Sequence, residues 1–307
     1  MIWEGRFDGD SPLCKRVFQS VKYEEDYGAI SPNGFFLHGF SVDEGVRRNK
    51  GRVGAKTAPN GIRKNMANFP VHASRFCLLD FGNVVCTNGD LEKSQKKLSE
   101  KVAQGLISGG RSVVLGGGHE LTYAHFMGIR KAFPNKKIGI INVDAHFDNR
   151  EAESGLGTSG TSFWQIYQQE KQLFSLHIGI QKNANTLELF DRAHTFGMEY
   201  ILAEEIFYEN IKSICTTVDT LEQRVDLLYL TVCMDTFNAS ISPGVSAPSC
   251  NGIFADQAFI SIYKRILSSQ KLKALDVAEV NPLYDEQERT ARLASGLVNE
   301  WFMNASI

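Results

Sequence analysis

The stretch IGIINVDAHFDNR, residues 138–150, changes character halfway along. Its first half has the composition of a buried strand, with Ile138, Ile140, Ile141 and Val143 apolar and no charge among them. Its second half sets Asp144, His146 and Asp148 two residues apart and then adds Arg150. Side chains alternate faces along a strand, so residues spaced by two point the same way. Two carboxylates and an imidazole crowded at the end of so apolar a strand are costly to bury without a partner. The spacing predicts a cation in front of them.

Similar apolar runs recur at residues 35–40, 76–79, 112–115, 176–180, 200–202, 227–232 and 272–277, separated for the most part by segments of helical period. The clearest helix spans residues 91–107, with Leu91, Leu98, Val102 and Leu106 on one face. Asn88-Gly89-Asp90 before it and Gly109-Gly110 after it are start and stop signals. Residues 59–63 (PNGIR) read as a helix start and residues 79–83 (LDFGN) as a turn. Strands alternating with helices imply a parallel sheet covered on both faces. The expected fold is a three-layer α/β/α, doubly wound parallel sheet of about eight strands, one domain over residues 1–307. Its site is expected at the carboxyl ends of the strands.

Composition narrows the partners. Hydrophobic residues make up 43% and charged residues 22% of the 307-residue chain, and the net charge is −2. There is no basic bias toward nucleic acid or anionic membrane, and no apolar run approaches the roughly 18 residues of a membrane span. The first ten residues, MIWEGRFDGD, lack the pattern of a signal peptide, and the six cysteines are scattered without a CxxC pair. A cytoplasmic location with free thiols is expected, and a small molecule rather than nucleic acid or membrane as partner.

Two other strand ends carry polar residues that this fold would bring together. In VVLGGGHE (residues 113–120) the strand ends in three glycines before His119 and Glu120. The Lys-Ser/Thr of a phosphate-binding loop is absent, so the glycines read as close backbone packing that lets His119 point into a crevice. In LYLTVCMDTFN (residues 228–238), Cys233 and Asp235 repeat the spacing of two. Alone, His119 would more often be a structural histidine and Cys233 a small core residue. His38, His72, His125, His177 and His194 are read as structural or surface residues. Together, His119, Asp144, His146, Asp148, Cys233 and Asp235 form an oxygen-rich set with some imidazole, suited to hard or borderline divalent ions such as Mn²⁺. Six candidates fit two ions sharing a hydroxide better than one.

At this point a resemblance enters. GGGHE, NVDAHFDNR, TVCMDTFNASISPGVSAP and LDVAEVNP resemble the four signature regions of the ureohydrolases, the arginase/agmatinase superfamily of binuclear manganese enzymes. WEGRFD, DEGVRRNKGRVGA, GTSGTSFWQI, PGVSAP and AEVNPLYDEQERTARLAS are similar to the formimidoylglutamase branch. The resemblance runs over residues 3–295. It implies that His119 and Asp148 bind one metal, His146 the other, and that Asp144 bridges them. The family's third signature is Asp-x-Asp, and here Cys233 takes the first place and Asp235 the second. One bridge is therefore a thiol or absent, and the second Mn²⁺ is expected to bind more weakly.

The implied reaction is hydrolysis of N-formimidoyl-L-glutamate to L-glutamate and formamide by a metal-bridging hydroxide, as in histidine degradation. Asp148 and Glu279 would be the catalytic carboxylates, Glu279 facing the amidinium. Arg150, Ser159, Gly160 and Thr161 would bind the amino-acid part of the substrate. Arg47, Arg48 and Arg52 could add donors or serve structural ion pairs. The resemblance also implies a homo-oligomer. Alternatives are another ureohydrolase that releases urea from a guanidino acid, and a metal-poor relative acting as a partner subunit, for which Cys233 is the motive. A deacetylase on a related fold is disfavoured by Asp148.

Overall fold

A computed structural model describes residues 2–72, 76–170 and 172–304. Nine strands form one sheet: β1 (Val21–Tyr23), β2 (Phe35–Ser41), β3 (Leu78–Val85), β4 (Arg111–Leu115), β5 (Ile138–Val143), β6 (Phe174–Ile180), β7 (Glu199–Leu202), β8 (Leu227–Cys233) and β9 (Leu272–Ala278). Their order is β1-β3-β2-β4-β9-β8-β5-β6-β7 and every neighbouring pair is parallel. The helices are α1 (Glu44–Arg48), α2 (Ala58–Met66), α3 (Leu91–Ile107), α4 (Leu121–Ala132), α5 (Ser162–Gln169), α6 (Leu187–Phe196), α7 (Ile211–Arg224), α8 (Gln257–Leu267) and α9 (Arg289–Asn304). No described helix is long and apolar enough to cross a membrane.

The period of two in the strands divides the interior into two cores. Along β4, Val113 and Leu115 join one and Val114 the other; along β5, Ile141 and Val143 face the first and Ile138 and Ile140 the second. Ile62, Val218, Ile262 and Val298 cover the first face from α2, α7, α8 and α9. Leu98, Ile129, Phe163 and Leu189 cover the second from α3, α4, α5 and α6. Helix α3 keeps the bounds its periodicity gives, with the Asp90 side chain accepting from Lys93 N at 2.9 Å.

Two features depart from the sequence reading. Strand β1 is a three-residue edge strand with two exposed residues, too short to show a pattern. Residues 79–83, read as a turn, lie inside β3. The misleading residue is Asp80, fully buried where a strand of this kind should be apolar. Arg63 of α2 grips it with two bonds of 2.8 Å, and Trp3 Nε1 donates to it at 2.8 Å. Removing one partner of such a buried pair leaves an uncompensated charge. Arg63→Ala is expected to cost about 3–5 kcal/mol, measured as a shift in the urea unfolding curve; a loss below about 1 kcal/mol would mean that water reaches Asp80 in the variant.

A second buried polar network has the look of a catalytic triad and is not one. His125 Nδ1 lies 2.6 Å from Asp276 Oδ2, and its Nε2 lies 2.9 Å from Ser112 Oγ. All three residues have no exposed surface, so no substrate reaches the serine. His38 and His177 are likewise held inside, against Tyr27 and Asn142.

The strand order sets β4, β9, β8 and β5 side by side at the centre of the sheet. Because all run parallel, their carboxyl ends open at one edge, where a doubly wound sheet binds its ligand.

Candidate metal centre

The turn after β4 is a packing device. Gly117 N donates to Phe40 O at 2.9 Å and Gly118 N to Val42 O at 3.0 Å, so neither N–H is free to hold a phosphate. A Cβ on Gly117 would lie 1.9 Å from Val42 O, which is why a side chain is excluded there. This close passage brings His119 over the ends of β5 and β8. Its Nε2 lies 3.0 Å from Thr231 Oγ1, leaving Nδ1 toward the carboxylates: 2.8 Å from Asp148 Oδ2 and 3.0 Å from Asp144 Oδ2.

Asp144 stands where β5 ends. Its Oδ1 accepts from His146 N at 2.9 Å and lies 3.6 Å from His146 Nδ1, while that nitrogen is 3.3 Å from Asp235 Oδ2. Two groups of donors result. His119, Asp144 and Cys233 offer ligand atoms all within 4.8 Å of one another, and so do Asp144, His146 and Asp235. Asp144 belongs to both, as a residue placed between two ions must.

Several observations match this donor set to divalent cations. Asp235 Oδ1 and Glu279 Oε2 are buried without a hydrogen-bond partner, a cost that a nearby cation removes. Burial disfavours charge on His119 and His146, yet the carboxylates of Asp144, Asp148 and Asp235 outweigh it and hold both rings well above the ordinary imidazole pKa. Burial likewise works against ionised Asp144, but the two imidazolium rings keep it below the usual carboxylate range. Asp148 is raised, first by burial and then by the Asp144 charge. The carboxylates thus draw protons onto the rings, and bound metal ions would replace those protons. Cys233 is the exception: burial and then the surrounding carboxylates push its thiol pKa well up.

Asp148 and Glu279 both have positive φ, 47° and 67°. A left-handed backbone at a non-glycine residue costs about 1–2 kcal/mol, and here it falls on two of the three carboxylates that line the cleft. Glu279 N donates to Gly117 O at 2.8 Å and its Oε1 accepts from His119 N at 2.9 Å. Its carboxyl pKa is raised well above the ordinary value by burial and then by Glu120 and Asp235.

Above these groups a cleft of about 370 Å³ is lined by Arg150, Ser159, Gly160, Asn49, Lys50 and Arg52, among others. Of the residues the resemblance assigned to the substrate, Arg150, Ser159 and Gly160 stand at its wall. Thr161 does not line it. Its side chain is buried, Thr161 Oγ1 accepts from Thr158 N at 2.8 Å and lies 3.1 Å from Gln165 Oε1, and the residue borders an adjoining pocket with Lys50 and Arg150. Arg47 and Arg48 are taken by Glu44, and Arg48 also by Glu92. Arg52 donates to the carbonyls of Val245 and Ser246 and lies 4.3 Å from the Tyr284 ring centroid.

Sequence reasoning missed Asn49, Lys50, Asn185 and Ser246. Asn185 accepts from Phe147 N at 3.1 Å and donates to Ala145 O at 2.8 Å, fixing the backbone that carries His146. Nothing local to Asn185 announces a partner some 40 residues earlier. Asn49 and Lys50 lie inside the stretch DEGVRRNKGRVGA, but nothing in that string marks them as a cleft wall.

The model of the arginase family matches residues 33–303. A formimidoylglutamase from Geobacillus thermodenitrificans is 41% identical over 303 residues, covering 97% of this chain and 94% of that protein. One from Staphylococcus aureus is 36% identical over 305 residues, covering 98% and 97%. The Bacillus subtilis formimidoylglutamase structure shares the fold, with a TM-score of 0.87 at 20% identity over 97% of this chain and 94% of that one. The Trypanosoma cruzi formiminoglutamase structure with Mn²⁺ has a TM-score of 0.80 at 25% identity, covering 89% of this chain and 94% of that one.

Proposed function

The chain belongs to the arginase family, and on that footing we propose that it hydrolyses N-formimidoyl-L-glutamate to L-glutamate and formamide. The observation that carries this reading is the polarity of the cleft. Its floor holds Asp148, Asp235 and Glu279, with Glu279 Oε2 lacking any partner, and Asp144 lies buried beneath them. Its mouth holds Lys50, Arg52 and Arg150, none of them ion-paired among the described residues. The substrate has the same polarity, an amidinium at one end and two carboxylates beyond it.

We assign His119, Asp148, Asp144 and Cys233 to one Mn²⁺ and Asp144, His146 and Asp235 to the other. When bound, the two ions supply Lewis acidity and a water that loses its proton near neutral pH. The remaining steps belong to side chains. Glu279 holds the amidinium through charge-assisted hydrogen bonds. Asp148 takes the proton of the attacking water and delivers it to the glutamate nitrogen as the C–N bond breaks. Thr231 fixes the His119 ring and Asn185 the backbone at His146. Arg150 offers a fork to a carboxylate. A cytoplasmic role in histidine breakdown accords with six unpaired cysteines.

The substrate assignment is tested by comparing kcat/KM for N-formimidoyl-L-glutamate and for a guanidino acid such as 4-guanidinobutyrate. One lost carboxylate contact is worth roughly tenfold to a hundredfold, so a preference of that size is expected; equal rates, with urea released, would transfer the chain to the guanidino branch of the family.

Cys233 governs metal retention in this reading. A thiol offers one soft donor where a carboxylate offers two hard ones that span two ions. Wild type is expected to hold fewer than two Mn²⁺ per chain after loading and desalting, and Cys233→Asp to approach two. Elemental analysis of both proteins decides it: two firmly held Mn²⁺ in wild type, unchanged by the substitution, would contradict the weak site.

A further inference from the structure

The end of α1 fixes where Lys50 stands. Lys50 N donates to Arg47 O at 3.1 Å and Gly51 N to Val46 O at 2.9 Å, the two bonds of a Schellman turn. That turn holds Lys50 at φ 60°, the left-handed position that glycine usually fills without strain. The chain has a glycine at the next position, 51, and a lysine at the strained one. The turn itself therefore gives no reason for lysine at 50.

The side chain does give one. Lys50 is exposed, lines the cleft and is paired with no carboxylate among the described residues. Asn49 Nδ2 donates to Ser159 Oγ at 3.1 Å, and Ser246 Oγ accepts from Arg52 N at 2.9 Å, so the turn is tied to neighbouring loops on both sides of Lys50. Gly160 sits between this turn and Arg150: a Cβ built on it would lie 3.3 Å from Asn49 Nδ2 and 3.5 Å from Arg150 Cδ. Two unpaired cations of different shape thus face one cleft from adjoining loops. Arg52, held by two carbonyls and Tyr284, has no such reach.

We propose that Lys50 and Arg150 form a two-point clamp, each receiving one of the two carboxylates of the substrate. The inference rests on the reading of the substrate above and adds a specificity residue to it. A dianion is then distinguished from a monoanion by two separate contacts at the mouth, away from the reacting carbon.

The test uses Lys50→Gly, Lys50→Arg and Arg150→Ala with three Mn²⁺-dependent substrates: N-formimidoyl-L-glutamate, N-formimidoyl-4-aminobutyrate without the α-carboxylate, and N-formimidoyl-L-2-aminobutyrate without the γ-carboxylate. Lys50→Gly should raise KM for the full substrate about fivefold to tenfold, between the value of an exposed ion pair and that of a charge-assisted bond in a cleft. Its kcat should stay near wild type, and its Tm at or above wild type, because glycine relaxes the left-handed turn. Lys50→Arg should keep most of the affinity. The Lys50→Gly effect should vanish for one monocarboxylate and the Arg150→Ala effect for the other. A KM indifferent to Lys50, or the same penalty on all three substrates, overturns the clamp while leaving the functional reading in place. Wild type that yields no formamide from N-formimidoyl-L-glutamate overturns that reading itself, and the clamp with it.

Discussion

Asp148→Asn is expected to lower kcat by about 10²–10³-fold while the protein unfolds at nearly the wild-type temperature. Asp148 Oδ2 stands 2.8 Å from His119 Nδ1 and the residue lines the cleft, which suits the proposed double role of metal donor and proton acceptor. Asparagine keeps the shape and, unusually among side chains, tolerates the positive φ of 47° found here. The substitution therefore removes charge and proton acceptance and little else. Turnover within a few-fold of wild type, in protein shown to be fully loaded with Mn²⁺, would contradict the assigned role; a collapse of Tm would instead mark Asp148 as a structural residue.

Glu279→Gln is the second large effect, about a hundredfold in kcat/KM. The carboxyl is fixed by one oxygen on His119 N and presents the other, unpartnered, to the cleft. Glutamine preserves the reach and the contact with His119 N but loses the charge that an amidinium needs opposite it. The discriminating comparison is binding of a small amidinium such as formamidinium by isothermal calorimetry. Weaker binding in Glu279→Gln, with unchanged metal content, is expected. Equal binding would place the amidinium elsewhere.

Much of this site was legible because a parallel sheet concentrates chemistry at strand ends. Asp144, His146 and Asp148 betrayed themselves by ending an apolar run, and His119, Cys233 and Asp235 by ending two others. The sheet order then sets β4, β8 and β5 close together, with only β9 between the first two. The fold class followed from the same alternation of strand and helix.

What stayed hidden depends on partners remote in sequence. Asp80 looked like a turn residue because its partners, Arg63 and Trp3, lie 17 and 77 residues away. Asn185 has the same obscurity. The sequence around Thr161 could not show that its hydroxyl is engaged in bonds within its own loop. Lys50 was passed over because its significance lies in a backbone angle, and the string NKG does not say which of its residues takes the left-handed position.

The central claim is most directly tested by product analysis with substrate carrying ¹³C at the formimidoyl carbon, followed by NMR in the Mn²⁺-loaded protein. Attack by water at that carbon can release either nitrogen. The proposed roles, Glu279 holding the amidinium and Asp148 delivering the proton to the glutamate nitrogen, predict labelled formamide and free L-glutamate in a one-to-one ratio. Labelled N-formyl-L-glutamate with ammonia, or no turnover by fully metallated protein, would contradict it.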